Sequence, residues 1–126
     1  MKIAILGAGA IGAFVGARLA RAGSDVHLIA RGDHGEAMSK HGVRVIALDE
    51  SFVVKPLVTD DPRNVGHVDM VFLGLKAHRY AAAGELLAPL LGPTTFVVAA
   101  QNGIPWWYFY GHGGPFEGRR IQTVDP

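Results

Sequence analysis

Short, continuous apolar runs recur along the chain, each closed by glycine or a polar turn. Lys2-Ile-Ala-Ile-Leu6, Asp25-Val-His-Leu-Ile29, Met70-Val-Phe-Leu73 and Thr95-Phe-Val-Val98 are such runs. Lys2–Leu6 and Met70–Leu73 predict strands buried on both faces, as in a parallel sheet, and the other two runs predict further strands. Between them the period changes. Ile11, Val15, Leu19 and Ala22 recur at helical spacing until Gly23-Ser24, and Tyr80 to Leu91 is helical by pattern until Gly92-Pro93. His34 to His41 is polar and predicts a short helix or loop. Val43-Arg-Val-Ile-Ala47 and Phe52-Val-Val54, on either side of Asp49-Glu50-Ser51, predict a hairpin or strand pair. Thr59-Asp-Asp-Pro62 to Gly66 is a turn-rich connection. Strands alternating with helices predict an α/β fold with a doubly wound, mostly parallel sheet.

The first run admits three readings. From Ile3 to Ala17 there is no charge, and with Lys2 before it and Ala20 after it the stretch has the outline of a secretion signal. It is also apolar enough to suggest a membrane span, with Gly12-x-x-x-Gly16 as a helix-pairing pattern. Four glycines, at 7, 9, 12 and 16, suit neither a leucine-rich signal helix nor a span, which needs about 20 residues. The third reading gives each glycine a task. Gly7-Ala-Gly-Ala-Ile-Gly12 is G-x-G-x-x-G between a strand and a helix, with another strand following. Gly7 permits the tight turn, Gly9 lets the backbone approach a pyrophosphate, and Gly12 lets helix and strand pack closely. The helix start then offers N–H groups and a positive dipole end to phosphate. This context predicts a Rossmann-type dinucleotide-binding domain.

Composition narrows the alternatives. The chain has 126 residues, a length that suits one domain with its own core. Twelve basic and eleven acidic side chains leave a net charge of +1, which gives no footprint for a nucleic-acid partner. There is no cysteine, hence no disulfide framework or thiolate chemistry, which fits a reducing cytoplasm. The six histidines are scattered, none at the i, i+4 spacing of a zinc helix, so no metal site is expected. His27, alternating with core positions on a strand, is expected to be structural.

Cofactor choice rests on the tip of the second strand. NAD-binding domains place an acidic residue there, about 20 residues past the glycines. Here the tip is Ala30-Arg31-Gly32, and Arg31 can pair with a 2′-phosphate. Asp33 follows closely and could instead hold a 2′-hydroxyl, so the choice of NADP(H) over NAD rests on Arg31. Lys76 follows the strand Met70–Leu73, and Asn102 follows Thr95–Val98. In an open parallel sheet ligands bind off the carboxyl ends of the strands, so Gly7–Gly12, Lys76 and Asn102 are expected to line one crevice.

These residues resemble the N-terminal half of the ketopantoate reductase (2-dehydropantoate 2-reductase) family. The resemblance rests on Gly7-Ala-Gly-Ala-Ile-Gly12, Arg31, Leu75-Lys76-Ala77 and Gln101-Asn102-Gly103, and covers essentially the whole chain. Ile104-Pro-Trp-Trp-Tyr-Phe109 with Gly111-His-Gly-Gly114 looks like a bacterial subgroup of it. The resemblance implies NADPH-dependent reduction of ketopantoate to pantoate, on the route to pantothenate and coenzyme A, in the cytoplasm, with a homodimer in the full-length enzyme. Gly7, Gly9 and Gly12, with Ala8, Ala10 and Ile11 between them, would hold the pyrophosphate. Arg31 would take the 2′-phosphate, and Arg79 would add a second cation beside it. Lys76 would sit near the nicotinamide ribose and the 2′-phosphate side of the cleft, and Asn102 by the nicotinamide and substrate. The family's catalytic lysine and other substrate-side residues lie on a helical C-terminal domain with no counterpart in residues 1–126. The chain, ending at Thr123-Val-Asp-Pro126 with no capping pattern, therefore looks like the cofactor domain of a two-domain enzyme, with no catalytic residue of its own. Cofactor binding with little turnover follows.

Two other functions stand beside this one. A non-catalytic NADP-binding sensor would use the same fold but would need neither Lys76 nor Asn102. A related dehydrogenase would act on another 2-keto acid. The run Trp106-Trp-Tyr-Phe-Tyr110 is expected to be core, or a contact for the absent domain and then partly exposed.

Overall fold

The computed structural model describes residues 1–122; the Thr123–Pro126 ending lies outside the described residues. In chain order the elements are β1 (Lys2–Leu6), α1 (Ala10–Arg21), β2 (Asp25–Ile29), α2 (Gly32–His41), β3 (Val43–Ile46), β4 (Ser51–Val54), β5 (Leu57–Thr59), β6 (Val68–Leu73), α3 (Tyr80–Leu87) and β7 (Leu91–Ala99). Single 3-10 turns occupy Pro62–Asn64, Ala77–Arg79 and Ala88–Leu90. Five strands form one sheet in the order β5-β2-β1-β6-β7, every neighbouring pair parallel. The chain leaves β1 in one direction to reach β2 and returns to its other side as β6. The carboxyl ends of β1 and β6 thus flank the switch point where such sheets bind ligands.

Both faces are covered at β1, at the centre of the sheet, where four of the five residues are buried. The edge strand β7 has no buried residue, and Phe96 and Val97 stand about half exposed, so its apolar run does not mark a core strand. Along β1, Ile3 and Ile5 face a core with Ala17 of α1, Leu28 of β2 and Val45 of β3. Ala4 and Leu6 face the opposite core, with Val71 of β6, Ala83 of α3 and Leu90. The opening run is therefore a buried strand, a turn and a helix, not a signal or span. Among the described residues no helix is long and apolar enough to cross a membrane.

Three boundaries differ from the sequence expectations. The stretch before Thr59 holds β5, which pairs with β2 at the sheet edge; at three residues, after Pro56, it is too short to show a pattern. The helix predicted to run to Leu91 ends at Leu87, because Pro89 cannot supply an interior N–H, and a 3-10 turn carries the chain on. The final strand begins at Leu91 and runs through Gly92-Pro93. The register jumps there, from Val68 opposite Leu91 to Met70 opposite Phe96. Thr95 bridges the gap: its hydroxyl accepts from the Gly92 N–H at 2.8 Å and donates to the Val68 carbonyl. Pro93, which has no N–H, thus sits in a bulge rather than in the ladder.

The β3–β4 hairpin forms its own antiparallel sheet, packed on α1. Glu50, at its turn, accepts from Arg18 and Arg21 on the last turns of α1, the Arg21 contact at 2.5 Å. The hydrogen bond from Arg21 is the main reason the Glu50 carboxyl lies below its ordinary value. The Arg21 guanidinium also sits 4.2 Å over the Phe52 ring. His27 is largely covered on β2; its Nε2 lies 3.2 Å from an Asp25 carboxylate oxygen, at an angle that makes no hydrogen bond.

The aromatic run is not core. Trp107 stacks on Tyr80 at the start of α3, with ring centres 6.0 Å apart and planes 18° from parallel, and Trp106 meets Trp107 edge-on. Tyr110 is 83% exposed. The loop beyond closes on Glu117, whose carboxylate accepts from the Gly111 and Gly113 N–H groups and is thereby held below its ordinary value.

Candidate functional site

The site begins where β1 ends. Gly7 turns the chain with φ +94°, a conformation that a side chain disfavours. Its carbonyl then lies against two other glycines. A Cβ on Gly12 would stand 2.2 Å from the Gly7 oxygen, and a Cβ on Gly74, just after β6, would stand 2.6 Å from it. Gly7, Gly12 and Gly74 thus close the base of the crevice by direct backbone packing. Gly9 is different: a Cβ there would meet nothing within 4 Å, so it opens onto free space.

Gly9 caps α1 through its backbone, and the first helical bond runs from Ala13 N–H to Gly9 O at 2.8 Å. The N–H groups before Ala13 have no partner within the helix. No acidic residue lies in the first turn to neutralise this positive end. Open space at Gly9, unpaired N–H groups and a helix start without competing carboxylates suit a diphosphate.

Beyond the turn is a cavity of about 720 Å³, within the range of about 300–1,000 Å³ usual for ligand pockets. Gly7, Ala8 and Gly9 line it together with Arg31, Arg79 and Glu85. Arg31 is the N-cap residue of α2, placed by the end of β2. It pairs with no carboxylate among the described residues. Asp33 lies in the first turn of α2, where its charge suits the helix dipole, and does not line the cavity. In an adjoining hollow Arg63 is occupied by Asp61, with nitrogen–oxygen distances of 2.7–3.0 Å, and this holds the Asp61 carboxyl below its ordinary value.

The sequence residues are not all brought together. Gly7, Ala8, Gly9, Arg31 and Arg79 share the cavity wall. Gly12 lies beneath the turn, and Ala10 and Ile11 start α1 just outside that wall. Lys76 caps the turn Ala77–Arg79 and Asn102 follows β7; both are exposed at the carboxyl edge, outside this cavity. The glycine turn shares this cavity with Arg31 and Arg79; Lys76 is not among its lining residues although Leu75 and His78 on either side of it are, and Asn102 is not among them. Gly74, Glu85 and His34 were not singled out by the sequence. Gly74 carried the signal of a glycine directly after an apolar strand, and His34 that of lying three residues past Arg31 on a helix. Among the described residues no group of three His, Asp or Glu side chains could hold a metal.

The parallel sheet, with the glycine turn at its switch point and a cation at the tip of β2, defines a Rossmann-like α/β fold. The chain belongs to the ketopantoate reductase PanE/ApbA family, whose model matches residues 3–106. It is 48% identical, over its whole length, to a 2-dehydropantoate 2-reductase of Mesorhizobium japonicum, and spans 39% of that relative. A solved structure from Ralstonia solanacearum, proposed to be a ketopantoate reductase, superposes with a TM-score of 0.88 at 40% identity, over 99% of this chain and 39% of the other. The ternary structure of D-mandelate dehydrogenase with NADH and anilino(oxo)acetate matches at 29% identity, with a TM-score of 0.74, over 82% of this chain and 34% of the other. The chain thus spans between 34% and 39% of the length of these relatives, in a family of NAD(P)H-dependent oxidoreductases.

Proposed function

We propose that residues 1–126 are the NADPH-binding domain of a two-domain cytoplasmic reductase that converts 2-dehydropantoate to pantoate. The observation that carries the choice of cofactor is the contrast between Arg31 and Asp33: the cation lines the cavity without a carboxylate partner, and the carboxylate does not line it.

When bound, NADPH would supply the hydride for reduction of a keto carbon, with a proton needed at the carbonyl oxygen. The N–H groups of the glycine turn and the start of α1 would hold the diphosphate. Arg31, with Arg79 lining the same cavity, would hold the 2′-phosphate through charge-assisted hydrogen bonds. Lys76 and Asn102 serve the nicotinamide and substrate end, on the outer part of the same edge. We assign the proton donor to the portion of the protein that corresponds to the remaining length of the relatives.

A second reading is a dehydrogenase of the same build that acts on another 2-keto acid. The likeness to D-mandelate dehydrogenase, solved with NADH, favours it. Fluorescence titration of the chain with NADPH and with NADH separates the cofactor readings. NADPH binding at least about tenfold tighter is expected, since one to two charge-assisted bonds to the phosphate are at stake. Equal binding would transfer the role to Asp33 and favour the second reading, and no binding of either would overturn both.

A further inference from the structure

His34 reaches from α2 back to the glycine turn. Its Nε2 lies 2.9 Å from the carbonyl oxygen of Ala8, which is 3% exposed between Gly7 and Gly9. A carbonyl can only accept, so the ring must carry its hydrogen on Nε2 and donate. Ala8 C=O and Gly9 N–H belong to one planar trans peptide and point in opposite directions. Fixing the carbonyl toward α2 therefore fixes the Gly9 N–H in the opposite sense. This matters because the peptide rotates through ψ of Ala8 and φ of Gly9, and a glycine on its far side accepts either sign of φ at little cost. A rotated peptide would turn a carbonyl lone pair, rather than an N–H, toward an incoming anion. The other end of the brace is firm: Met38 of α2 is buried in the core against β1, β2 and β3.

We propose that His34 is a positioning residue for the cofactor, holding the Ala8–Gly9 peptide in the orientation that receives the diphosphate. The role is separate from that of Arg31, although both stand at the start of α2. It rests on the reading of the glycine turn as a diphosphate site. Removing the brace should weaken every ligand with a diphosphate by the same factor and leave recognition of the 2′-phosphate untouched.

The test uses the chain and its H34A and H34Q variants, titrated with NADPH, NADH and adenosine 2′-monophosphate, which has the 2′-phosphate but no diphosphate. With one neutral hydrogen bond lost, H34A should raise the Kd for NADPH and NADH alike by about three- to tenfold. Binding of adenosine 2′-monophosphate should not change. H34Q, whose amide N–H stands near the position of Nε2, should recover most of the loss. In the unaltered chain the His34 ring nitrogens, read by ¹⁵N NMR at a pH where the ring is neutral, should show the hydrogen on Nε2. Unchanged NADPH affinity in H34A, an equal loss for adenosine 2′-monophosphate, failure of H34Q to recover, or a hydrogen on Nδ1 alone would each overturn the proposal. If the unaltered chain bound neither NADPH nor NADH, the diphosphate reading would fall and the proposal with it. Binding in the unaltered chain with no effect of H34A would sink the proposal alone.

Discussion

At the scale of single residues, the site depends on which groups are already occupied. Arg63 and Arg31 stand around the same region, but Arg63 is held by both oxygens of Asp61 while Arg31 has no such partner among the described residues. Only the second can give its guanidinium to a ligand without first breaking an ion pair. R31A should therefore weaken NADPH by about tenfold to a hundredfold, the worth of a charge-assisted contact, and leave NADH nearly unchanged; paired titrations measure the ratio. R63A should change that ratio little. The glycine turn and the place of Arg31 were legible in the sequence because they follow from local chain geometry: a turn after a strand, a residue at a strand tip. His34 was not, because its bond to Ala8 exists only once α2 has folded back beside β1. The place of Lys76 and Asn102 relative to the glycine turn is likewise beyond local pattern. Strand ends share an edge by topology, but whether their side chains share one cavity depends on the loops that follow.

At the scale of elements, two glycines of one motif should behave in opposite ways. Gly12 packs α1 onto the turn, and a methyl there overlaps the Gly7 carbonyl, a backbone atom that cannot move without moving β1. G12A should lower unfolding stability by about 1–3 kcal/mol, the usual cost of overpacking, in urea denaturation. Gly9 faces open space, so G9A should unfold at nearly the same urea concentration yet bind NADPH more weakly, because the new methyl occupies the ligand's side. The hairpin makes a pH-dependent contribution. Glu50 is held below its ordinary value of 4.5, chiefly by the hydrogen bond from Arg21. Its stabilisation is complete above 4.5 and is lost as pH falls through the depressed value. E50Q should lower the denaturation midpoint at pH 7, and the gap to the unaltered chain should close on acidification. The buried β1 and the helix α1 were legible because long-range packing agrees with local pattern, whereas the apolar run of β7 lies at an exposed sheet edge that the sequence does not announce. β5 was not, since three residues carry no period. The join of α3 and β7 was misread because Gly92-Pro93 signals a stop to any local rule, and only Thr95, bonded to Val68 across the sheet, shows how the strand passes through it.

At the scale of the whole molecule, the cavity exists only when the sheet is complete. Its walls come from the ends of β1 and β2, from the start of α2 and from α3, segments that meet only through the order β5-β2-β1-β6-β7. An unfolded chain has no such wall, so a ligand of the cavity binds the folded form alone and stabilises it by mass action. At about one hundred times its Kd, NADPH should add about 2.7 kcal/mol. For a chain of this size that corresponds to a rise in Tm on the order of 10 °C in a thermal melt. NADH at the same concentration should give a smaller rise, since its occupancy is lower by the contribution of Arg31, and R31A should bring the two curves together. The shift also tests the domain assignment. A cooperative melt that moves as one transition with NADPH means that the described sheet folds and binds as a unit. A melt that splits, with only part of the signal moving, would mean that the β3–β4 hairpin or the segment after β7 unfolds separately from the nucleotide-binding core.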